Sequence, residues 1–297
     1  MIWGIGAGIL SVVFMCVSYI LSRSYIRKHH DPVKLSVFSQ LEMFPVGLVL
    51  LAAGVLLADI PWNSKFLLLV VGQVLTFLLG QTSFFMLLKE VEATRASSLI
   101  GLKMIALAVI ATLLGNYLSP LQWAAVLLCT AAAVGMNFSG GKLSLRSCFW
   151  LVMSAFGYAL CDVCVTKLMQ MMPSSSMLIN AVGVMGCCFS ALGFVAFPAL
   201  AKYPLRKAEL FDSIPYTLVY LGSMLFLYIC FGLLGVVFGS IIQASRGILS
   251  IVLGVVLLHF GIEKNEPQVS GKIWIRRLVM AVLMLSAMTL YSFSVRR

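Results

Sequence analysis

The sequence predicts an all-α polytopic membrane protein, with ten transmembrane helices arranged as two inverted five-helix repeats. Three observations predict it. The chain is 61% hydrophobic and only 10% charged, with a mean hydropathy of +1.05. A soluble domain carries about 25% charged residues, and a soluble chain this apolar would aggregate through its exposed patches. The apolar residues fall in ten runs, each close to the roughly 20 residues needed to cross a bilayer. Lastly, the two halves align at one constant offset.

The runs, in order, are 2–22, 36–57, 66–88, 96–114, 121–138, 148–169, 176–199, 213–234, 236–258 and 274–294. Unpaired backbone polar groups cannot face lipid, so each run is predicted helical. A barrel would need strict apolar/polar alternation, which the runs lack. The first run opens Met1-Ile2-Trp3-Gly4 with no basic flank before it, and Arg23, Arg27 and Lys28 follow it; it is expected to be a permanent span rather than a cleaved signal. Span two carries Glu42 and Pro45, which stands as the sole proline well inside a run. Span three carries Gln73 and Gln81, span four Lys103, span six Asp162, span seven Asn180, and span nine Gln243, Arg246 and Ser250. The longest loops are expected around 23–35, 200–212 and 259–273. No extramembrane domain is foreseen, so function is expected within the membrane.

The offset between halves is 143 residues. It places Ser11 on Ser154, Pro61 on Pro204, Ala96-Ser97 on Gly239-Ser240 and Lys103 on Arg246. The expected organisation is a first five-helix repeat over 1–138, a loop over 139–147 and a second repeat over 148–297, with about ten residues inserted before the last span. An odd number of spans per repeat inserts the second copy from the opposite side. Inverted repeats place a solute site at their interface near the midplane.

Charge gives the orientation. Fifteen of the basic residues (Arg23, Arg27, Lys28, Lys34, Lys89, Arg95, Lys142, Arg146, Lys202, Arg206, Lys207, Lys264, Lys272, Arg276 and Arg277) follow odd-numbered spans, against four (Lys65, Lys167, Arg296 and Arg297) elsewhere outside the spans. The positive-inside rule then puts both termini outside the cytoplasm. The net charge of +11 is thereby explained by topology, and no nucleic-acid partner is implied.

Ionisable groups inside spans are costly, about 2.5–3.5 kcal/mol each at the centre on insertion scales. Lys103, Arg246, Glu42 and Asp162 are therefore candidate functional residues. Gly239, Gln243, Arg246 and Ser250 lie on one helical face, with Ser240, Gly247 and Gly254 as a small-residue stripe beside it. In span four, Lys103 sits in register with Ala96, Ile100 and Leu107, beside the small stripe Ser97, Gly101, Ala108 and Thr112. Two readings of the four charges stay open. In one, Lys103 and Arg246 pair with Glu42 and Asp162 and only hold helices together. In the other, Lys103 and Arg246 clamp an anionic group, Glu42 and Asp162 hold a cationic group or take a proton, and Gln73, Gln81, Asn180, Gln243 and Ser250 orient the solute.

Other chemistry finds little support. The eight cysteines fall within or at the edge of spans, and the Cys161/Cys164 pair lacks further ligands for zinc. The three histidines, His29, His30 and His259, lie outside the middles of spans, so neither a metal enzyme nor an intramembrane serine protease is expected. No metal and no cofactor is predicted, and no enzymatic activity.

The segment from Glu92 through Ala93, Thr94, Arg95, Ala96, Ser97, Ser98 and Leu99 to Ile100, followed by Leu114-Gly115-Asn116-Tyr117-Leu118-Ser119-Pro120-Leu121-Gln122, resembles the drug/metabolite transporter superfamily, EamA-like branch. The architectural resemblance covers the whole chain and the motif about thirty residues. It implies secondary transport of small metabolites by exchange or coupled to an ion gradient. Two departures stand out: Asn116 and His259 occupy positions where the family usually has Glu, and Lys103 and Arg246 stand where it usually has Pro. The expected function is secondary active transport of a small anionic or zwitterionic metabolite (organic phosphate, nucleotide-sugar or amino acid) by alternating access. The alternatives are a proton-coupled exporter of cationic drugs and a non-transporting membrane scaffold. The expected partners are the small-molecule substrate, the lipid bilayer, and coupling protons or a counter-substrate; the expected location is a bacterial inner membrane.

Overall fold

The computed structural model describes residues 1–88, 99–115, 117–136, 143–246, 249 and 271–295. Among these it has ten α-helices and no strand: α1 (Ile2–His29), α2 (Pro32–Leu57), α3 (Ser64–Leu88), α4 (Lys103–Leu113), α5 (Pro120–Met136), α6 (Leu145–Met171), α7 (Met177–Ala196), α8 (Lys207–Leu234), α9 (Val236–Ala244) and α10 (Gly271–Val295). Six of them (α1, α2, α3, α6, α7 and α8) are long and apolar enough to cross a bilayer. The protein is an all-α polytopic membrane protein.

Several helices extend past the apolar runs that announce them. α1 continues to His29, and α2 begins at Pro32 instead of residue 36. The loop expected over 23–35 shrinks to His30 and Asp31. Local chemistry explains this. His30 caps α1 in the left-handed conformation, at φ 55°. Asp31 caps α2 by accepting from the Val33 and Lys34 backbone nitrogens at 3.0 and 3.2 Å, and Pro32 takes the first helical turn, where no amide hydrogen is required. α8 likewise begins at Lys207 rather than 213, which makes Pro215 internal to a helix beside Pro45. Twenty-eight residues in α1 span about 42 Å, more than the hydrocarbon core, so its charged end belongs to the headgroup layer.

The chain packs as two compact units. The first comprises Met1–Leu78 and Cys161–Val236, the second Leu79–Leu160 and Val237–Arg297, so each draws helices from both halves of the sequence.

In the first unit α2 and α7 run antiparallel along a seam of glycines. A Cβ at Gly47 would lie 2.6 Å from the Ser190 nitrogen, one at Gly54 2.6 Å from Gly183 Cα, and one at Gly193 2.5 Å from Phe44 Cβ. At Gly186 a Cβ would collide with the Leu51 backbone. With no hydrophobic drive between helices in lipid, such backbone approach supplies the packing energy. Gly47 meets Ser190 across this seam, and 190 minus 47 is 143. Helices that the sequence offset equates thus run in opposite directions here. α1 and α8 are also antiparallel, and the Ser223 hydroxyl donates to the Ser11 carbonyl at 2.9 Å. The offset carries that pair onto Ser154 and Gly80, where the Ser154 hydroxyl donates to the Gly80 carbonyl, again at 2.9 Å. The buried core of this unit includes Phe66, Val70, Val74, Leu168, Met185, Phe189 and Phe231. Outward positions stay apolar: Val49, Leu68 and Phe194 are 69–72% exposed, as a lipid-facing surface requires.

In the second unit α5 packs on α10 through Gly135 against Met280, and Phe238 of α9 stacks on Tyr291 of α10 at 5.3 Å. The predicted small stripe of span four is used at Gly101, where a Cβ would lie 2.5 Å from the Ala133 Cβ on α5.

Candidate functional site

Span four is not one continuous α-helix where Lys103 lies. A 3₁₀ turn, Ile100–Leu102, leads into α4, and Lys103 is its first residue rather than a mid-helix one. Span nine is interrupted at the corresponding place. α9 stops at Ala244 and Ser245 turns, its hydroxyl donating to the Ile242 carbonyl at 2.7 Å. Arg246 follows the break, and its Nε donates to the Gln243 carbonyl at 2.9 Å, meeting one of the carbonyls a helix end leaves open. Both cations are half-buried and both belong to the second unit. Gln243 is buried on α9, and so is Ser240, whose hydroxyl oxygen has no hydrogen-bond partner among the described residues. Gln81, near the C-terminal end of α3, is in this unit too, with a buried Oε1. Ser250, His259 and Asn116, with Gly247 and Gly254, lie outside the described residues.

The other candidates belong to the first unit. Asp162 is buried on α6, where Thr166 donates to its backbone carbonyl at 2.9 Å. Gln73 of α3 is buried, its amide nitrogen 3.7 Å from the Cys161 sulfur and its Oε1 without a hydrogen-bond partner among the described residues. Asn180 of α7 donates to the Ser174 carbonyl at 2.9 Å, and its own Oδ1 has no hydrogen-bond partner among the described residues. Buried amide oxygens of this kind are uncommon and mark places where polar matter or water is accommodated.

Glu42 has partners that the sequence reading missed. It sits on α2, half-buried, two turns past Lys34 and about 12 Å deeper along the helix. One carboxylate oxygen accepts from the Ser213 hydroxyl at 2.5 Å and the other from the Thr217 hydroxyl, both on α8. Ser213 and Thr217 are one turn apart on one face, with Pro215 between them. A hydroxyl pair at that spacing, opposite an intramembrane carboxylate, was the available signal.

At the end of the same unit where α1 meets α2 lies a cluster of ion pairs. Lys28 and His29 of α1 both reach Asp212 of α8 at 2.7 Å, and Lys34 of α2 reaches Glu209 at 3.0 Å. Arg206 adds to Glu209 at 3.5 Å. Tyr25 is buried beneath them, its hydroxyl without a hydrogen-bond partner among the described residues and within electrostatic reach of Glu209, Asp31, Asp212 and Glu42.

Comparison with known proteins gives three findings. Residues 2–138, just under half of the chain, match the EamA-like transporter family. A solved structure described as "Crystal structure of protein" is similar over 100% of this chain and 97% of its own, at a TM-score of 0.68 and 16% identity, which is a likeness of fold. No curated protein matches the chain.

Proposed function

We propose that this chain, whose residues 2–138 match the EamA-like transporter family of the drug/metabolite transporter superfamily, is a secondary active transporter of a small anionic or zwitterionic metabolite, working by alternating access. That match and the six bilayer-length apolar helices support an integral membrane protein of the transporter type. One observation carries the anionic preference. Lys103 and Arg246 stand at the two breaks in helix continuity of the second unit. Interrupted helices are where transporter folds expose backbone and charge to a solute. Cations at both breaks suit a carboxylate or phosphate, Arg246 by its planar fork and Lys103 as a point charge. Glu42 is engaged by hydroxyls of α8, which weakens the reading of the four charges as mere structural pairs.

The duplication supports alternating access. α2 and α7 are equated by the offset and run antiparallel, as an inverted repeat demands. In that cycle Gln243, Gln81, Ser250, Asp162, Gln73 and Asn180 are the residues proposed to orient the solute. We assign the membrane as a bacterial inner membrane, with both termini outside the cytoplasm.

A thermal-shift screen of the purified protein tests the substrate class, because a ligand that binds the folded state raises its apparent stability. Organic phosphates, nucleotide-sugars or amino acids are expected to stabilise the wild type, and Arg246→Ala to remove the shift. Stabilisation by lipophilic cations alone would overturn the anionic reading in favour of a drug exporter.

A further inference from the structure

We infer that Glu42 is a proton-binding site that latches α2 to α8 when ionised and releases them when protonated. This rests on the transport reading for its use in a cycle, and on geometry alone for its existence.

Hydrogen bookkeeping at the contact defines two states. Each Glu42 oxygen accepts one hydroxyl hydrogen, Oε1 from Ser213 at 2.5 Å and Oε2 from Thr217. An ionised carboxylate is acceptor-only and satisfies both donors. A protonated one becomes a donor on one oxygen, so the arrangement cannot persist unchanged. The two hydroxyls already have somewhere to go. Ser213 Oγ lies 2.7 Å from the Leu210 carbonyl oxygen, and Thr217 Oγ1 lies 3.2 Å from the Ser213 carbonyl oxygen. Each hydroxyl has a single hydrogen, which serves either Glu42 or its own helix. One proton taken up from water forms one O–H bond on Glu42. The hydroxyl hydrogens rotate onto α8 and nothing leaves the site. Charge-assisted bonds between α2 and α8 are exchanged for neutral bonds within α8.

Both helices are weakened where they are latched. Pro45 lies three residues beyond Glu42 and withdraws the amide that would bond the Leu41 carbonyl. Pro215 lies between the two hydroxyls and does the same for the Phe211 carbonyl. A helix broken in its hydrogen-bond ladder bends at small cost, so release there has somewhere to be transmitted.

The positions that the offset equates with these three residues give a reference without the device. The offset carries Glu42 onto Met185, Ser213 onto Val70 and Thr217 onto Val74. Those three are buried together in one apolar cluster. The positions that the offset equates are thus filled once with a titratable carboxylate and two hydroxyls and once with apolar side chains.

The surroundings leave Glu42 to its hydroxyls. From α1 the groups facing this end are Tyr25, Lys28 and His29; from α2 itself, Asp31 and Lys34; from α8, Glu209 and Asp212, with Arg206 just before it. Lys28 and His29 are held by Asp212, and Lys34 and Arg206 by Glu209. α7 has no charged residue.

The test compares the full-length wild type, Glu42→Gln and the triple change Glu42→Met with Ser213→Val and Thr217→Val, all at one pH. Backbone hydrogen exchange over 207–222 needs no substrate. Glu42→Gln mimics the protonated state and is expected to exchange about tenfold faster there, the triple change as slowly as wild type. In proteoliposomes loaded with organic phosphate, nucleotide-sugar or amino acid pools, Glu42→Gln is expected to lose the acceleration that an imposed pH gradient gives the wild type, each measured relative to its own counterflow without a gradient. Unchanged exchange in Glu42→Gln overturns the latch and leaves transport standing. Faster exchange with wild-type acceleration by the gradient overturns the proton role. Faster exchange with no uptake by any variant upholds the latch and sinks the transport reading. Should Glu42→Gln not yield monodisperse protein, the triple change decides: transport without a gradient response upholds the site, and a wild-type response overturns it.

Discussion

The contact of α2 with α8 and the buried cluster joining α3 to α7 occupy positions that one offset equates, yet one is built from Glu42, Ser213 and Thr217 and the other from Val70, Val74 and Met185. Packing alone gives no reason for a carboxylate at Glu42 when a methionine, Met185, fills the position that the offset equates with it. Buried apolar groups give a contact that neither pH nor salt disturbs. A carboxylate between two hydroxyls gives one that a single proton rearranges. The difference teaches that the polar copy is kept for its two states rather than for its strength.

The comparison breaks most severely if the carboxylate is moved to the apolar copy. Met185 is 2% exposed, and Val70 and Val74 offer no donor. Met185→Glu is expected to cost at least about 3–5 kcal/mol, the figure for a buried charge stripped of its partner, and to abolish monodisperse protein in size-exclusion chromatography. Recovery of good protein by adding Val70→Ser and Val74→Thr would sharpen the comparison further, since it would rebuild the latch in the other half.

The next largest effect lies on the glycine seam that holds α2 to α7. Gly186→Ala forces its methyl onto the Leu51 backbone, which cannot give way as a side chain tip can. A loss of about 1–3 kcal/mol is expected, read as a lowered thermal unfolding temperature in one detergent. Gly6→Ala, where nothing lies within 4 Å, is the control and is expected to be neutral or slightly stabilising.

The smallest effects test the equivalence of the halves. Ser223→Ala removes the bond to the Ser11 carbonyl, and Ser154→Ala removes the bond to the Gly80 carbonyl. Each is expected to lower stability by about 1 kcal/mol and by similar amounts. A cost from one and none from the other would show that the offset relates sequence without relating packing.

The sequence read well where one physical rule dominates. Spanning helices are legible because lipid excludes unpaired backbone over some twenty residues. Their ends were not, because hydropathy marks the apolar core and not the capping chemistry, and Asp31 with Pro32 starts α2 four residues early. The same error hid Pro215, which looked like the edge of a run and lies inside α8. Glu42 drew attention by its cost, but its partners did not, since Ser213 and Thr217 lie 171 and 175 residues away and hydroxyls cost little in an apolar helix. Lys103 and Arg246 were recognisable as intramembrane cations, whereas the helix breaks beside them carry no proline signal at all. The residues from Glu92 to Ser98 that most resemble the family lie outside the described part of the chain.

Transport of an anionic or zwitterionic metabolite is the claim on which the rest depends, and counterflow in proteoliposomes measures it most directly. Vesicles carrying the wild type are expected to accumulate a labelled organic phosphate, nucleotide-sugar or amino acid against an unlabelled internal pool. Vesicles carrying equally well-folded Arg246→Ala are expected to accumulate none of it. Accumulation of the same solute by Arg246→Ala at the wild-type rate, or counterflow by the wild type of lipophilic cations only, would contradict the account.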